Sequence, residues 1–275
     1  MNIIILTGSE LRHSFFRKAL AMNPVITVIQ SYCEQTNNRY VPKEKNNEDA
    51  QLQIQHLEAR ERSEEDFFKH FTEFTPDHSN PVFIPLGTVN NKKYQQEMLT
   101  LNPDLIISFG SSILTEPLLS HFEKKILTVN LGLQPYFLGP AKNFWALVHG
   151  IPECVGATFL YMNSELDNGK IIHQIRGRIF PDDDPHQIGN RLIADMTKTF
   201  ITIITYLNTA TSKTINTATK VPISFDPISH VTNDFSAESV KKLYNNFKNG
   251  MIKKYIQEKE KRDKKYPLLS LSCFS

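Results

Sequence analysis

The chain opens with a short apolar run, a turn and a segment of helical periodicity. Ile3 to Leu6 form a continuous apolar run that is typical of a buried strand, and Thr7-Gly8-Ser9 follow it as a turn. Apolar residues then recur at helical spacing at Leu11, Phe15, Ala19 and Leu20. The β-branched run from Val25 to Ile29 is typical of a second strand. The pattern therefore predicts a β-α-β unit at the start of the chain.

The same alternation continues through most of the chain. Further strands are predicted at residues 105–109, 126–131, 156–162 and 171–180. Long helical faces are predicted around Phe67, Phe68, Phe71 and Phe74, and around Ile188, Leu192, Met196 and Phe200. Alternating strands and helices predict an α/β fold, which we expect to be three-layered and Rossmann-like with a mainly parallel sheet.

Two features suggest where elements and domains begin and end. Ser63, with Asp66 three residues later, resembles a capping box and predicts a helix start there. Residues 208–234 are rich in Thr, Ser, Asn and Pro, and a helical face with Val240, Leu243 and Phe247 follows. We therefore predict an α/β domain over residues 1–207, with residues 208–275 forming a surface loop and a C-terminal helical extension packed on it.

Composition narrows the classes of function. The formal charge of +2 gives no broad electrostatic surface for nucleic acid, so none is expected as a partner. Cys33, Cys154 and Cys273 are widely spaced, and the consecutive Asp182-Asp183-Asp184 cannot all converge on one ion, so no metal site is expected. No apolar run approaches the roughly 20 residues of a membrane span, and no signal peptide is recognisable. The sequence favours the cytoplasm and no membrane contact.

The most informative segment, residues 104–174, contains several short motifs in a fixed order. They are Phe109-Gly110, Gly132, Pro135-Tyr136, Gly139, Asn143-Phe144-Trp145, Val155-Gly156-Ala157-Thr158 and Asp167-Asn168-Gly169. In this order they resemble the formyltransferase family. The segments Thr7 to His13 and Phe180 to Leu192 are similar to a bacterial subgroup of that family associated with sugar modification.

The resemblance implies transfer of a formyl group from 10-formyltetrahydrofolate, as co-substrate, to a primary amine. In that family an asparagine donates to the oxyanion, a histidine relays a proton and an aspartate orients the histidine. Asp167 is at the aspartate position. The resemblance places contacts to the co-substrate at Phe109, Gly110, Met162, Asn163, Glu165 and Leu166. It places contacts to the amine acceptor at Gly132, Pro135, Tyr136 and Asn143.

The motif that normally carries the asparagine and the histidine is altered in this chain. An ungapped alignment puts Thr128 at the asparagine position and Asn130 at the histidine position. A gapped alternative keeps Asn130 as the asparagine and deletes the histidine, so the histidine is absent in both. Thr128, Asn130 and Asp167 remain the candidate catalytic residues, although neither Thr128 nor Asn130 titrates near neutral pH. His173, on the next predicted strand, is more typical of a structural residue.

Two functions follow from these features. The first is an N-formyltransferase whose acceptor is a small-molecule amine, such as an amino sugar carried on a nucleotide. The second is a catalytically impaired member that binds folate or a sugar nucleotide without turnover. Formylation of initiator methionyl-tRNA ranks lower because it predicts a C-terminal β-barrel, whereas residues 235–275 predict mainly one helix. A monomer and a homodimer both stay open.

Overall fold

The computed structural model describes residues 1–35, 48–163, 169–210 and 226–269. Its strands are β1 (Asn2–Gly8), β2 (Thr27–Gln35), β3 (Pro81–Pro85), β4 (Leu105–Phe109), β5 (Ile126–Leu131), β6 (Phe137–Leu138), β7 (Gly156–Tyr161), β8 (Lys170–Arg176) and β9 (Ile228–Ser229). Seven of them form one sheet with the order β3-β2-β1-β4-β5-β7-β8, and β6 pairs with β9. The mainly parallel sheet expected from the sequence is therefore confirmed.

The order of the strands creates a crevice beside β1. The chain builds β1, β2 and β3 outwards in one direction, and then places β4 against the other side of β1. The pairings from β3 through β5 are parallel, whereas β7 pairs in antiparallel fashion with both β5 and β8. In open sheets of this kind, ligands bind beyond the carboxyl ends of the strands at the point where the strand order reverses. That point lies between β1 and β4.

Helices cover both faces of the sheet. They are α1 (Leu11–Ala21), α2 (Glu48–Phe74), α3 (Lys92–Leu101), α4 (Leu118–His121), α5 (Lys142–Val148), α6 (Pro185–Thr209), α7 (Ala237–Lys248), α8 (Met251–Gln257) and α9 (Lys259–Asp263). Successive residues of β1 point to opposite faces, so Ile3 and Ile5 share one apolar cluster with Phe16 and Phe200. Ile4 and Leu6 belong to a second cluster with Met98. Both faces are buried, which gives the three layers.

The predicted helix start at Ser63 is wrong. α2 spans Glu48–Phe74, so Ser63 lies inside a helix. Its hydroxyl accepts a hydrogen bond from Asn190 Nδ2 at 3.0 Å and joins α2 to α6. The capping-box spacing is therefore used for a contact between helices, which the local sequence cannot distinguish from a cap. The strand predicted at 171–180 is also shorter, since β8 ends at Arg176.

The C-terminal residues pack on the α/β layers. β9 pairs in parallel with β6, with Phe137 opposite Ile228. α7 packs against α2 and α5, and α8 follows it after Gly250. In the part of the chain that the structure describes, no helix is long and apolar enough to cross a membrane.

Candidate active site

A cleft of about 400 Å³ lies where the carboxyl ends of β1, β4 and β5 meet. Thr7 pairs with Phe109 and Ser108 pairs with Thr128, so the three strand ends stand side by side at the reversal of strand order. The predicted site residues that line this cleft are Phe109, Gly110, Thr128, Asn130, Met162 and Asn163. The structure therefore brings together predicted residues from β4 and β5 and from the segments that follow β4 and β7.

The start of α1 gives the cleft a charged wall. His13 Nδ1 lies 2.6 Å from Glu10 Oε2, and Arg12 Nη2 lies 3.2 Å from Glu10 Oε1. Burial alone raises the pKa of Glu10, but the contacts with His13 and Arg12 outweigh it and lower that pKa to about 2. Burial lowers the pKa of His13, although Glu10 opposes the change. Sequence reasoning did not single out any of these three side chains as functional.

Two glycines make room for the His13 ring. A Cβ at Gly8 would lie 2.7 Å from His13 Nδ1, and a Cβ at Gly110 would collide with His13 Nε2. Gly110 also has φ +71°, in the left-handed region that favours glycine. The imidazole is therefore wedged between the turns that follow β1 and β4, and Phe109 packs edge-on against it with ring centroids 4.8 Å apart.

A buried carboxylate fixes the loop after β4. Glu34, at the end of β2, accepts hydrogen bonds from the backbone N–H of Ser112 at 2.6 Å and of Gly87 at 2.8 Å. Ser111 Oγ lies 2.9 Å from Ser108 Oγ. These contacts order the segment Gly110 to Ile113, most of which lines the cleft.

The β5 wall of the cleft is neutral. Thr128 and Asn130 line it, and the turn that follows Asn130 is fixed by buried polar side chains. Thr158 Oγ1 donates to Gly132 O at 2.7 Å and accepts from Gln134 N at 3.1 Å. Gln174 Nε2 donates to Thr158 Oγ1 at 3.0 Å and to Gln134 O at 2.5 Å. Satisfied buried networks of this kind rigidify the backbone they hold.

Three of the residues predicted to bind the acceptor lie behind the cleft. Gly132, Pro135 and Tyr136 are not among the residues that line it, and the Tyr136 hydroxyl donates to Pro267 O at 2.6 Å. Asn143 binds the backbone N–H and C=O of Gly156 at 2.9 and 3.0 Å. Lys142 of α5 is buried over Gly132 and lines the cleft.

A second cavity of about 510 Å³ adjoins the cleft and shares Arg12, Leu131, Pro140 and Ala141 with it. Its lining is mainly apolar, from α2, α5 and α6 with Phe235. Arg12 binds Glu64 through its backbone N–H and Nη1, both at 2.8 Å. Arg60 also lines this cavity, and within the described ranges no ion pair or hydrogen bond joins its guanidinium to another residue.

Electrostatics in the second cavity favour an anion. Arg12 and Arg60 carry two positive charges against the one negative charge of Glu64, a balance of +1 among these three. Burial lowers the pKa values of His56 and His186 to about 4. The two histidines are therefore neutral near pH 7, and among the described residues no carboxylate lies within ion-pair distance of the Arg60 guanidinium.

Three predicted site residues, Glu165, Leu166 and Asp167, lie outside the described residues. His173 is described: it is buried on β8, with its ring 6.0 Å from that of Phe159, and is not among the residues that line the cleft. In the described ranges, no cluster of three His, Cys, Asp or Glu side chains is arranged to hold a metal ion.

Comparison with known sequences identifies relatives. The family described as formyl transferase matches residues 1–204. The chain is 30% identical over 115 residues to the methionyl-tRNA formyltransferase of Buchnera aphidicola, and 32% identical over 113 residues to that of Caldanaerobacter subterraneus. These matches cover 41% and 40% of this chain, but only 36% of each relative. The chain therefore matches about a third of the length of these curated relatives.

Comparison with solved structures identifies the fold. Phosphoribosylglycinamide formyltransferase from Anaplasma phagocytophilum superposes with a TM-score of 0.54 at 15% identity, covering 84% of this chain and 98% of that one. A sugar N-formyltransferase from Shewanella sp. superposes with a TM-score of 0.52 at 17% identity, covering 86% and 78%. At such identities the likeness concerns the fold alone.

Proposed function

Because the chain belongs to the formyl transferase family, whose co-substrate is 10-formyltetrahydrofolate, we propose that it transfers a formyl group to the primary amine of a small molecule. The observation that carries the proposal is the cleft beyond β1, β4 and β5, which lies entirely within the matched residues and contains Thr128 and Asn130. The members named by the comparisons are transferases, so they give no support to a member that only binds.

The cleft suits the co-substrate chemically. Its volume of about 400 Å³ falls within the range of small-molecule sites. Ile113, Leu160 and Met162 supply apolar surface, while Gly110 and Asn163 supply polar groups beside it. A flat heteroaromatic ring with donors and acceptors on its edge needs this combination. We propose that the predicted contacts at Phe109, Gly110, Met162 and Asn163, together with Glu165 and Leu166, hold that ring.

Asn130 is our candidate for stabilising the reacting carbonyl. Formyl transfer places negative charge on the formyl oxygen, and an amide N–H fixed in a water-poor cleft stabilises such charge without reorganising. The turn after Asn130 is held by Thr158 and Gln174, so the backbone that carries Asn130 is rigid. Thr128, on the same strand, contributes its hydroxyl as a second donor. The role of Asp167 as an orienting carboxylate rests on the resemblance.

The second cavity is the site we propose for the amine acceptor. It shares the lining residues Arg12, Pro140 and Ala141 with the cleft, so we propose that an amine bound there reaches the reacting carbonyl. Its aromatic and apolar lining fits a ring system, and Arg60 fits an anionic group. A nucleotide-linked amino sugar combines these features. Asn143 lines this cavity, and Gly132, Pro135 and Tyr136 support the turn after β5 from behind the cleft.

Residues 208–275 complete that acceptor site in our proposal. Phe235 lines the second cavity, and Tyr244 of α7 holds His56 Nδ1 at 3.1 Å. We propose a single α/β domain over residues 1–207, with the remaining residues packed on it as an extension. The cytoplasmic location and the homodimer stay predictions.

The proposal is tested by release of tetrahydrofolate from 10-formyltetrahydrofolate over a panel of nucleotide-linked amino sugars. We expect turnover with at least one amine and formation of the matching formamide. Saturable binding of folate with no tetrahydrofolate released from any amine would contradict the proposal and favour the binding-only alternative.

A further inference from the structure

The cleft contains an imidazole in a position that the family resemblance does not predict. Among the described residues that line the cleft, His13 is the one histidine. It comes from the first turn of α1, whereas the histidine of the family motif would lie on β5, where this chain has Asn130. The chain has therefore lost a histidine from one wall of the cleft and holds another on the opposite wall.

The orientation of the His13 ring can be read from the two glycines that flank it. Nδ1 and Cε1 lie against Gly8, at the end of β1, whereas Nε2 lies against Gly110, just beyond β4. β4 stands between β1 and β5 in the sheet. The ring therefore points from β1 towards β5, and Nε2 is the ring nitrogen nearer to β5.

The strand register places Asn130 one strand further along that line. Ser108 pairs with Thr128, and Gly110 and Asn130 each follow their pair by two residues. Paired neighbouring strands are about 4.8 Å apart, and Gly110 and Asn130 both line the cleft just beyond the last pair, so Nε2 and Asn130 face the same cleft from adjacent strand ends. Atoms bound in the cleft between them lie within reach of both side chains.

The groups around His13 favour a proton acceptor at Nε2. Glu10 Oε2 lies 2.6 Å from Nδ1, and a carboxylate at this distance favours the neutral tautomer with its proton on Nδ1 and a lone pair on Nε2. Arg12 and Glu64 are the other charged groups near the ring, and Lys142 of α5 also lines the cleft. Burial and Arg12 lower the pKa of His13, so the neutral form dominates near pH 7.

We propose that His13 is the general base of the transfer reaction and that Glu10 positions it, replacing the histidine absent from β5. This inference rests on the proposed function. The amine nitrogen forms a bond to the formyl carbon, the bond from that carbon to N10 breaks, and one proton moves from the amine to N10. His13 Nε2 takes this proton and returns it, so tetrahydrofolate and a formamide result and the enzyme is unchanged.

The first experiment compares kcat/KM of the unmodified protein with that of His13→Gln, using the panel amine that turns over fastest. Glutamine keeps a donor for Glu10 but cannot relay a proton, so we expect a loss of about 10²- to 10⁴-fold. His173→Gln removes a buried histidine outside the cleft, and His70→Gln removes an exposed one on α2. We expect both controls to keep kcat/KM within about threefold.

Two further readouts separate proton transfer from a structural role. In the unmodified protein we expect kcat/KM to fall as pH decreases through the lowered pKa of His13, and this decline is absent in His13→Gln. Glu10→Gln removes the carboxylate that raises this pKa, so the decline moves to lower pH. Imidazole added to His13→Ala, whose missing ring leaves space beside Gly8 and Gly110, restores at least about tenfold activity.

The outcomes are distinct. Turnover by the unmodified protein that His13→Gln retains within threefold, or that His173→Gln abolishes instead, overturns the inference and leaves the proposed function standing. A large loss with no change in the pH profile and no rescue by imidazole also overturns it, since the ring is then structural. No turnover by the unmodified protein overturns the proposed function and, with it, the inference.

Discussion

The two walls of the cleft differ in charge. The charged wall consists of Glu10, Arg12 and His13, with Arg60 and Glu64 of α2 behind them. The neutral wall consists of Thr128 and Asn130 of β5, supported by Thr158 and Gln174. The neutral wall offers fixed hydrogen-bond donors, and the charged wall offers groups that titrate or bind anions. We infer that the neutral wall stabilises the oxyanion, whereas the charged wall transfers the proton and binds the acceptor.

After His13→Gln, the largest effect is expected from the neutral wall. Asn130→Ala removes the proposed donor to the formyl oxygen, and loss of one such donor reduces kcat by about 10²- to 10³-fold. The pH profile should keep its shape, because Asn130 does not titrate. The test measures kcat and the pH profile together. If the acidic decline disappears in Asn130→Ala, the division of roles between the walls is wrong.

A stability prediction concerns the histidines beside the charged wall. Burial lowers the pKa values of His56 and His186 to about 4, whereas the unfolded values are near 6.5. Their contribution to the free energy of unfolding is therefore present above pH 6.5 and is lost as pH falls towards 4.

We expect His56→Gln to reduce the loss of stability between pH 7 and pH 4 by on the order of 2 kcal/mol. Urea unfolding at the two pH values measures this difference. His70→Gln, on the exposed face of α2, is the control for removing a histidine from this helix. An unchanged pH dependence in His56→Gln would show that His56 is not buried as a neutral ring.

Acceptor binding should depend on the charged wall. Arg60→Gln removes a cation that lines the second cavity and forms no ion pair with another described residue, and hydrogen bonds to charged groups contribute about 1.5–3 kcal/mol. We expect KM for the amine to rise about 10- to 100-fold with little change in kcat. The matched control is Arg62→Gln, since the side chain of Arg62 is 70% exposed. A rise in KM for 10-formyltetrahydrofolate instead would assign this cavity to the co-substrate.

The smallest expected effect concerns the support of the neutral wall. Thr158→Val removes the hydroxyl that accepts from Gln134 N and Gln174 Nε2, leaving two buried donors with fewer partners. We expect the free energy of unfolding to fall by about 1–2 kcal/mol. Thr202→Val, on the exposed side of α6, is the control. If Thr158→Val and Thr202→Val are equally stable, the network does not hold this turn.

The strands around the cleft follow from local pattern, because continuous apolar runs at β1, β4 and β5 have few alternatives to a buried strand. The pattern did not predict that Ser63 lies inside α2. Ser63 and Asp66 have the same spacing whether Ser63 caps a helix or binds Asn190 of α6. The C-terminal segment was predicted as a helical extension. Its pairing of β9 with β6 was not predicted, because two residues in each strand are too few to give a recognisable strand pattern.

The sequence predicted the part of the candidate site that lies on β5, but not the part that depends on how the helices pack. Thr128 and Asn130 occupy motif positions, so the resemblance located them in a strand whose end lines the cleft. His13 and Arg60 occupy no catalytic motif position, and they acquire a role only when α1 and α2 pack beside β4 and β5. The signal that the sequence did contain is Gly8 and Gly110, because glycine after two neighbouring strands leaves space for a ring.

The decisive measurement is formyl transfer by the unmodified protein. The measurement follows tetrahydrofolate and the formylated amine over the panel of nucleotide-linked amino sugars, with Asn130→Ala in parallel. We expect the unmodified protein to form tetrahydrofolate and the formylated amine in equal amounts. In Asn130→Ala we expect the rate to be lower by about 10²- to 10³-fold. Folate binding without either product, or equal rates in the two proteins, would contradict these expectations.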